Sequence, residues 1–502
     1  MEYALAALSL HHLLVVTVGI VVGIALGAMP GLSSTFACAV MLPLTFTMPP
    51  VTALIFLGSV YMASTYGGSL SAILLNTPGT PQSIATTLDG FPMAKAGDGN
   101  LALSLACVAS VVGGLVGVLA LVAIAPPLAR MALSFGPAEF FWLAIFGLTM
   151  IASLSEANLI KGLLSGLLGV LLSMVGIAVV SADTRFTFDL PALVGGVPIV
   201  PATIGLLCVP VVIDMVATKA QHMSMPLARS GFRLREALAL CWRGRVNLGR
   251  SSLIGIFVGI LPAAGGAIAS LVAYTAALRS ARPNERYGEG EPNGIIASES
   301  ANNTTVGSGL VPTFVLGIPG TPPDAVILAA MLIHGLQIGP ALFVQQGDIV
   351  FTFAAGMTIA SLLMLPIGLA IGQYIYAAII RTPKTVLAPL IALSTLLGGF
   401  AIQNSYVDVV VMLVLGITAW IIGRLGFPAA PIVLGLLLGP IAERGYSQAM
   451  MIGQATGNVT GMFFGRPLSQ LIIACIVVAL VLPYVFKWLV AKEVRSHAPA
   501  KH

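Results

Sequence analysis

Long stretches of the chain contain no charged residue, and this feature limits most what it can fold into. The run from Ala102 to Ala125 is uncharged and mostly apolar, and it reaches the roughly 20 residues that cross a bilayer as a helix. Hydrophobic residues make up 58% of the chain and charged residues 8%, against roughly a quarter charged in soluble domains. The sequence therefore predicts an integral membrane protein whose surface faces lipid.

Hydropathy predicts an all-α polytopic membrane protein with about 12 to 14 transmembrane segments, including broken or re-entrant helices. We expect a first membrane repeat at 1–217, a basic linker at 218–250, a second membrane repeat at 251–490 and a tail at 491–502. The linker is rich in arginine and its only acid is Glu236. Because basic loops stay on the inner side, the linker and the basic tail are predicted to be cytoplasmic.

The predicted orientation makes the two halves inverted repeats. The N-terminus carries Glu2 and no basic residue, so we expect it outside, and an odd number of crossings then brings the linker inside. A perfect inverted copy would end outside. The basic tail therefore requires either one extra crossing at the C-terminus or a different span count.

The repeat is also visible in the letters of the sequence. The stretch GIALGAMPGLSST, which starts at Gly23, aligns with GIFVGILPAAGGA, which starts at Gly255. Further on, YGGSLSAILLNTPGTP from Tyr66 aligns with GSGLVPTFVLGIPGTP from Gly307. Two matching blocks in the same order indicate an internal duplication.

Each half contains a Pro-Gly-Thr-Pro element inside an apolar run, at Pro78–Pro81 and Pro319–Pro322. Such an element ends a helix, because proline lacks a donor and clashes with the preceding turn, while glycine admits positive φ. Paired breaks in corresponding positions are typical of the midplane sites of secondary transporters, where helix N-termini bind anions and carbonyls bind Na⁺. The alternative is that the glycines allow close helix packing and the polar groups cap helix ends.

Acidic groups are the other candidates for function. Glu299 lies in the polar stretch SESANNTT, which we place at a membrane helix end, where the carboxyl group would couple an ion or a proton or else serve as a capping or gating contact. Five further acids are expected near span ends that water reaches and are assigned no role: Glu139, Glu156, Asp214, Asp324 and Asp408.

Motifs of the common enzyme classes are missing from the sequence, which has no nucleophile elbow, Walker A loop, HEXXH or redox CXXC. No histidine pair has a metal-binding spacing. We therefore predict no enzyme, no cofactor and no metal beyond Na⁺. An intramembrane enzyme built on the Asn, Ser and Glu cluster stays a remote alternative, as does a channel.

The chain resembles the large membrane subunit of the tripartite tricarboxylate transporter family from end to end. The resemblance rests on GAMPGLSST, YGGSLSAILLNTPGTPQSIATTLDG and DTRFTFD in the first half, and on ESANNTTVGSGLVPTFVLGIPGTP and GLQIGPALF in the second. It implies a bacterial inner-membrane permease that works with a small four-helix membrane subunit and a periplasmic solute-binding protein. It also implies citrate or other di- and tricarboxylates as substrates, with Na⁺ or H⁺ as the coupling ion and no use of ATP.

The predicted mechanism is alternating access, with the substrate at the two broken helix ends. The predicted substrate-binding residues are Ser33, Ser34, Thr35, Asn76, Thr77, Pro78, Gly79, Thr80, Asn302, Asn303, Gly317, Pro319, Gly320 and Thr321. The predicted ion-coupling residues are Gly67, Gly68, Glu299, Asn303, Thr304 and Thr305. Neutral oxygen groups with few buried acids favour Na⁺ over H⁺. A carboxylate or anion carrier that needs no binding protein is the main alternative.

Overall fold

The computed structural model of the chain describes residues 6–29, 32–153, 159–178, 183–217, 233–261, 265–381 and 405–478, and positions 389, 392, 393, 395, 396, 400 and 480. These residues are helical apart from turns, connections and one short hairpin. Five helices in these ranges are long and apolar enough to cross a membrane, and six shorter helices are also apolar. The all-α polytopic fold is confirmed, while the total of 12 to 14 spans stays a prediction.

The helices of the first half are α1 (Leu10–Gly27), α2 (Ser34–Met41), α3 (Pro50–Leu75), α4 (Ile84–Met93), α5 (Gly99–Ala132), α6 (Pro137–Ser153), α7 (Leu159–Ser173) and α8 (Ile199–Ala217). Short 3₁₀ turns lie at Leu42–Thr45, Pro81–Ser83 and Pro191–Leu193, and a π turn lies at Ala94–Asp98. Strands β1 (Gly176–Ile177) and β2 (Thr184–Arg185) pair antiparallel.

The remaining helices are α9 (Leu234–Arg243), α10 (Arg245–Ile260), α11 (Gly265–Arg279), α12 (Pro292–Leu316), α13 (Pro322–Ile333), α14 (Pro340–Gln345), α15 (Gly347–Arg381), α16 (Tyr406–Arg424), α17 (Ala429–Ala455), α18 (Val459–Phe464) and α19 (Pro467–Val478). Helix α9 lies inside the predicted linker, and α10 begins there. Residues 218–232 of that linker, Pro30, Pro262 and the tail 491–502 lie outside the described residues.

The chain forms two compact units, each made of two segments. The first is Met1–Leu133 with Pro198–Trp420, and the second is Ser134–Val197 with Ile421–His502. The division of the chain into repeats at 1–217 and 251–490 follows the sequence rather than these units, and it stays a prediction.

Helices α3 and α12 form the centre of the first unit, and nearly all of their residues are buried. Each begins with a proline at its first position, where the missing N–H costs nothing. Helix α3 packs against α1 and α15, and α12 packs against α10 and α5. Each central helix therefore has packing neighbours from its own half and from the other half.

The same close contacts recur in both halves. Gly27 of α1 packs against the backbone of Ser64 in α3, and Gly259 of α10 packs against Thr305 in α12. Gly27 and Gly259 are equivalent positions of the first repeat block. Ser64 and Thr305 become equivalent when the offset of the second block is extended toward the N-terminus. Cross-half contacts are also paired, because α2 packs on α13 while α11 packs on α4 and its preceding turn. The inverted relation between the halves stays a prediction.

Helix α16 shows how the surface meets lipid. Its exposed apolar residues recur every three or four positions: Val407, Val410, Val414, Ile417 and Ile421. This spacing puts them on one face of the helix. A continuous apolar stripe facing outward suits hydrocarbon, where the helix satisfies its own backbone groups.

The second unit has its own core and its own ion pairs. Phe141 and Phe463 pack edge to face, with ring centroids 5.7 Å apart, next to Ala138 and Ala449. The Glu139 carboxylate is buried and accepts hydrogen bonds from Arg466 and from Ser469, each 2.7 Å away. These bonds satisfy a charge that would be costly to bury alone.

Candidate functional site

The first break separates α3 from the turn Pro81–Ser83. Asn76 ends α3 with a φ of 54°, the left-handed conformation that turns a chain out of a helix. The amide of Gly79 then donates to the carbonyl of Gly68, 3.1 Å away, so the chain folds back along the helix. A Cβ on Gly79 would lie 2.8 Å from the Cα of Gly68, and this approach therefore requires glycine.

The second break, between α12 and α13, repeats this geometry. Gly317 ends α12 with a φ of 69°, at the position equivalent to Asn76. The amide of Gly320 donates to Thr313 Oγ1 at 3.4 Å. A Cβ on Gly320 would lie 2.9 Å from the carbonyl oxygen of Gly309, the equivalent of Gly68. Both helix breaks therefore fall where the Pro-Gly-Thr-Pro elements predict them.

The second break is tied to the first half by a hydrogen-bonded chain. Thr321 Oγ1 lies 2.6 Å from Asp324 Oδ2 and 3.0 Å from the hydroxyl oxygen of Tyr61 in α3. Because Thr321 donates its only side-chain proton to Asp324, Tyr61 is the donor to Thr321. All three side chains are buried.

Several other buried polar side chains near the breaks have no hydrogen-bond partner among the described residues. They are the hydroxyl of Thr80, both amide atoms of Asn302 and of Asn303, and Asp324 Oδ1. Buried polar groups are nearly always paired, so an unpaired one calls for a ligand, an ion or a water molecule. These atoms make the two breaks the best candidate for a binding site in the described part of the chain.

Asn302 lies against the first break, although it belongs to the second half. A Cβ built on Gly266 would lie 2.5 Å from Asn302 Oδ1 and 2.9 Å from Gln82 Cγ. Both atoms lie close to the same point, so Asn302 Oδ1 and Gln82 Cγ are near each other. Gln82 lies in the turn that follows Thr80. Asn303 points in another direction, because consecutive helix residues do not face the same side.

Glu299 lies inside α12, well after the helix begins at Pro292, and it is buried. The prediction that it lies at a helix end is therefore wrong. Its carboxylate accepts hydrogen bonds from Thr86 in α4, at 2.5 Å, and from Ser110 in α5, at 2.9 Å. No basic side chain among the described residues forms an ion pair with it.

The predicted residues at the start of α2 lie close to the first break. Ser33 caps α2 by accepting from the amide of Phe36 at 3.1 Å. Ser34 Oγ lies 3.5 Å from Gln82 Oε1 and 3.4 Å from the hydroxyl of Thr65, while Thr35 is half-buried. The structure therefore brings Ser34 against the turn that follows Thr80.

The other predicted ion-coupling residues make local contacts. Thr304 donates to the carbonyl of Ser300 at 2.7 Å, and Thr305 donates to that of Asn302 at 2.6 Å. Gly67 is a packing point, since its Cβ would lie 2.7 Å from a backbone carbonyl of α1. Around the first break, Thr77 and Pro78 are half-buried and Asn76 is exposed, whereas around the second Pro319 is buried. Roles in binding an ion or a substrate stay predictions for all of them.

Asp89 of α4 is a structural residue that sequence reasoning missed. Its Oδ1 accepts from the amides of Gly288, Gly290 and Glu291 at 2.7 to 3.0 Å. Its Oδ2 accepts from the hydroxyl of Tyr274 at 2.9 Å. The carboxylate thereby fixes the connection between α11 and α12 to the first half, since charge-assisted bonds are the stronger ones.

Burial of the acids also differs from the prediction. Asp324, Glu139 and Asp408 are buried rather than placed where water reaches them, whereas Asp214 is exposed as expected. Glu156 lies outside the described residues. Extending the constant offset of the second repeat block would have drawn attention to Asp324, because it aligns with Ser83, and to Tyr61, because it aligns with Asn302.

Comparison with known proteins decides which family this arrangement belongs to. Residues 13–434 match the tripartite tricarboxylate transporter TctA family. The chain belongs to this family. The predicted resemblance is therefore confirmed, and it covers the breaks and the whole of α12.

Two relatives from Agrobacterium vitis match as well. The "uncharacterized 52.8 kDa protein in TAR-I ttuC' 3'region" is 32% identical over 475 residues, which cover 92% of each chain. The "uncharacterized protein in TAR-II ttuC' 3'region" is 31% identical over 229 residues, or 45% of this chain and 93% of the relative. No solved structure matches the chain.

Membership in the tripartite tricarboxylate transporter family fits the fold. A multi-pass all-α chain with apolar helices is what a transporter permease requires. The family is one of transporters rather than enzymes, and its tripartite organisation implies a binding protein and a small membrane subunit as partners.

Proposed function

We propose that this TctA-family permease imports small organic di- or tricarboxylates, citrate among them, by alternating access driven by an ion gradient. The observation that carries the proposal is the pair of equivalent helix breaks with buried, unpartnered polar groups beside them. Broken helices inside a membrane protein are tolerated where they line a cavity or contact protein, and they expose backbone groups that bind ions and carboxylates.

The coupling ion is Na⁺ or H⁺, and the polar groups of α12 are its proposed ligands. Glu299 is buried with hydroxyl donors and has no ion-pair partner in the described part of the chain. This is the setting in which an acid in a membrane protein couples an ion or a proton. The neutral oxygens of Asn303, Thr304 and Thr305 and the backbone at Gly67 and Gly68 suit Na⁺.

The permease works with a periplasmic binding protein and a small four-helix membrane subunit in a bacterial inner membrane. The binding protein selects the substrate and delivers it, so the permease needs to hold only a general feature of the substrate, its carboxylate groups. Neutral donors at a helix break serve that purpose without a fixed positive charge.

Uptake of labelled citrate into proteoliposomes tests this function. The reconstituted permease and small subunit are measured with and without the binding protein, and with Na⁺ replaced by choline at fixed pH. We expect uptake that requires the binding protein and an ion gradient. Uptake that is unchanged without the binding protein would instead support a simple carboxylate carrier, and chemical conversion of citrate without uptake would support an enzyme.

Two variants test the site within the same assay. Asn303→Ala and Gly320→Pro should abolish uptake while the protein still reaches the membrane at wild-type levels. Gly320 has no room for a ring, because its Cβ would already lie 2.9 Å from the Gly309 carbonyl. Wild-type uptake in both variants would refute the assignment of the site to the breaks.

A further inference from the structure

The two breaks are equivalent in sequence but not in the hydrogen bonds that they make. Thr321 at the second break is bonded to Tyr61 and Asp324. Thr80 is its equivalent at the first break, and its hydroxyl has no partner among the described residues. The difference arises at two pairs of equivalent positions, where the two halves carry different side chains.

The first of these positions holds Tyr61 in one half and Asn302 in the other. Each side chain crosses to the break of the opposite half, since Tyr61 reaches Thr321 and Asn302 lies beside Gln82. The tyrosine is long enough to bond Thr321 directly. The shorter asparagine does not bond Thr80, and its amide is fully buried with neither atom paired.

The second position holds Ser83 at the first break and Asp324 at the second. Ser83 is neutral and donates to the carbonyl of Thr80 at 2.8 Å. Asp324 is buried and accepts a hydrogen bond from Thr321. Its second oxygen has no partner among the described residues. In its ionised form, Asp324 repels a second carboxylate, since the local dielectric is low.

Available donors therefore differ between the breaks. A substrate carboxylate is acceptor-only and needs N–H or O–H donors. At the first break the Thr80 hydroxyl and the Asn302 amide are both free to donate. At the second break the Thr321 and Tyr61 protons are already used in hydrogen bonds. Asp324 Oδ1, which has no partner among the described residues, is an acceptor in the ionised carboxylate.

We propose that a substrate carboxylate binds at the first break only, between Thr80 and Asn302, while Tyr61 occupies the equivalent place at the second break. The proposal rests on the proposed function and narrows its site from two breaks to one. The two halves then differ in role: one holds the substrate, and the other is closed by a side chain.

Equilibrium binding of radiolabelled citrate to the purified full chain, with Tm measured on the same samples, tests this division. Thr80→Val and Asn302→Leu remove the proposed donors and should each raise Kd about tenfold or more, because a hydrogen bond to a charged group contributes about 1.5–3 kcal/mol. The matched control, Tyr61→Phe, removes the hydroxyl that donates to Thr321 at the second break. This control should lower Tm and leave Kd within threefold.

Charge provides an independent arm. Ser83→Asp gives the first break the acid of the second and should raise the citrate Kd at least tenfold. Ser83→Asn introduces a neutral side chain of nearly the same shape as aspartate and should leave Kd within threefold. Equal changes in the citrate Kd for the variants at the two breaks, or an unchanged Kd in Ser83→Asp, would overturn the proposal. If the wild type shows neither binding nor uptake of citrate or a C4 dicarboxylate, the proposed function fails instead.

Discussion

The backbone carbonyl of Ser64 lies where a Cβ on Gly27 would have to be placed. Helices α1 and α3 can approach this closely only because position 27 has no side chain. In the second half, a Cβ on Gly259 would clash with the hydroxyl oxygen of Ser308 in α12. Small residues at such crossings allow membrane helices to gain packing contacts that lipid would otherwise supply.

Gly27→Ala should therefore destabilise the protein. Overpacking a helix crossing costs about 1–3 kcal/mol, so we expect a lower Tm in detergent and less protein in the membrane. Gly249→Ala is the matched control, since a Cβ there meets nothing within 4 Å. That variant should keep or slightly raise Tm, because alanine is the better helix former. Equal Tm values for the two variants would contradict the packing argument.

Asp89→Asn should loosen the connection between α11 and α12. The amide can accept fewer and weaker bonds than a carboxylate that receives three backbone N–H groups. We expect faster trypsin cleavage at Arg286, read on a gel over time. Glu289→Gln is the control, because it changes an exposed pair in the same connection. A cleavage rate equal to that control would show that Asp89 does not hold the connection.

Glu299→Gln should separate folding from coupling. The substitution keeps the side-chain shape and removes a buried charge that has no basic partner, so Tm should stay the same or rise. Uptake driven by the ion gradient should fall at least tenfold while citrate binding is retained. Ser110→Ala, which removes one donor to the carboxylate, should keep more than half of the uptake. Full gradient-driven uptake in Glu299→Gln would exclude a coupling role.

The residues that end α3 and α12 should be exchangeable between the halves. Asn76 and Gly317 both have positive φ, which asparagine and glycine adopt more readily than other residues. Gly317→Asn and Asn76→Gly should therefore keep Tm within a few degrees, whereas Gly317→Val should destabilise by about 1–2 kcal/mol. A wild-type Tm in Gly317→Val would show that the break is not constrained at this residue.

The breaks could be predicted from sequence because proline and glycine act locally. Proline alone does not end a membrane helix, since Pro312 lies inside α12. In Pro-Gly-Thr-Pro the two prolines flank a glycine, and both elements follow the ends of their helices as expected. Membership in the family could also be predicted, because its motifs are contiguous letters. Neither prediction depends on knowing which helices meet in space.

The surroundings of the acids could not be predicted in the same way. Hydropathy places the start of the span after the polar stretch that contains Glu299, whereas α12 begins at Pro292. Burial there comes from α4 and α5, which supply Thr86 and Ser110 from distant parts of the chain. Asp324 was expected near water, although it is buried and bonded to Thr321, which Tyr61 of the other half contacts.

The bonds of Asp89 have a consequence for how the protein is made. The first amide that this carboxylate binds, that of Gly288, lies 199 residues further along the chain. While a ribosome is still producing α5 to α11, the Asp89 carboxylate lacks its native hydrogen-bond donors, and a buried unpaired charge is unfavourable. Helix α4 can therefore reach its native position only after the second half has entered the membrane. The last step of assembly then involves both halves together.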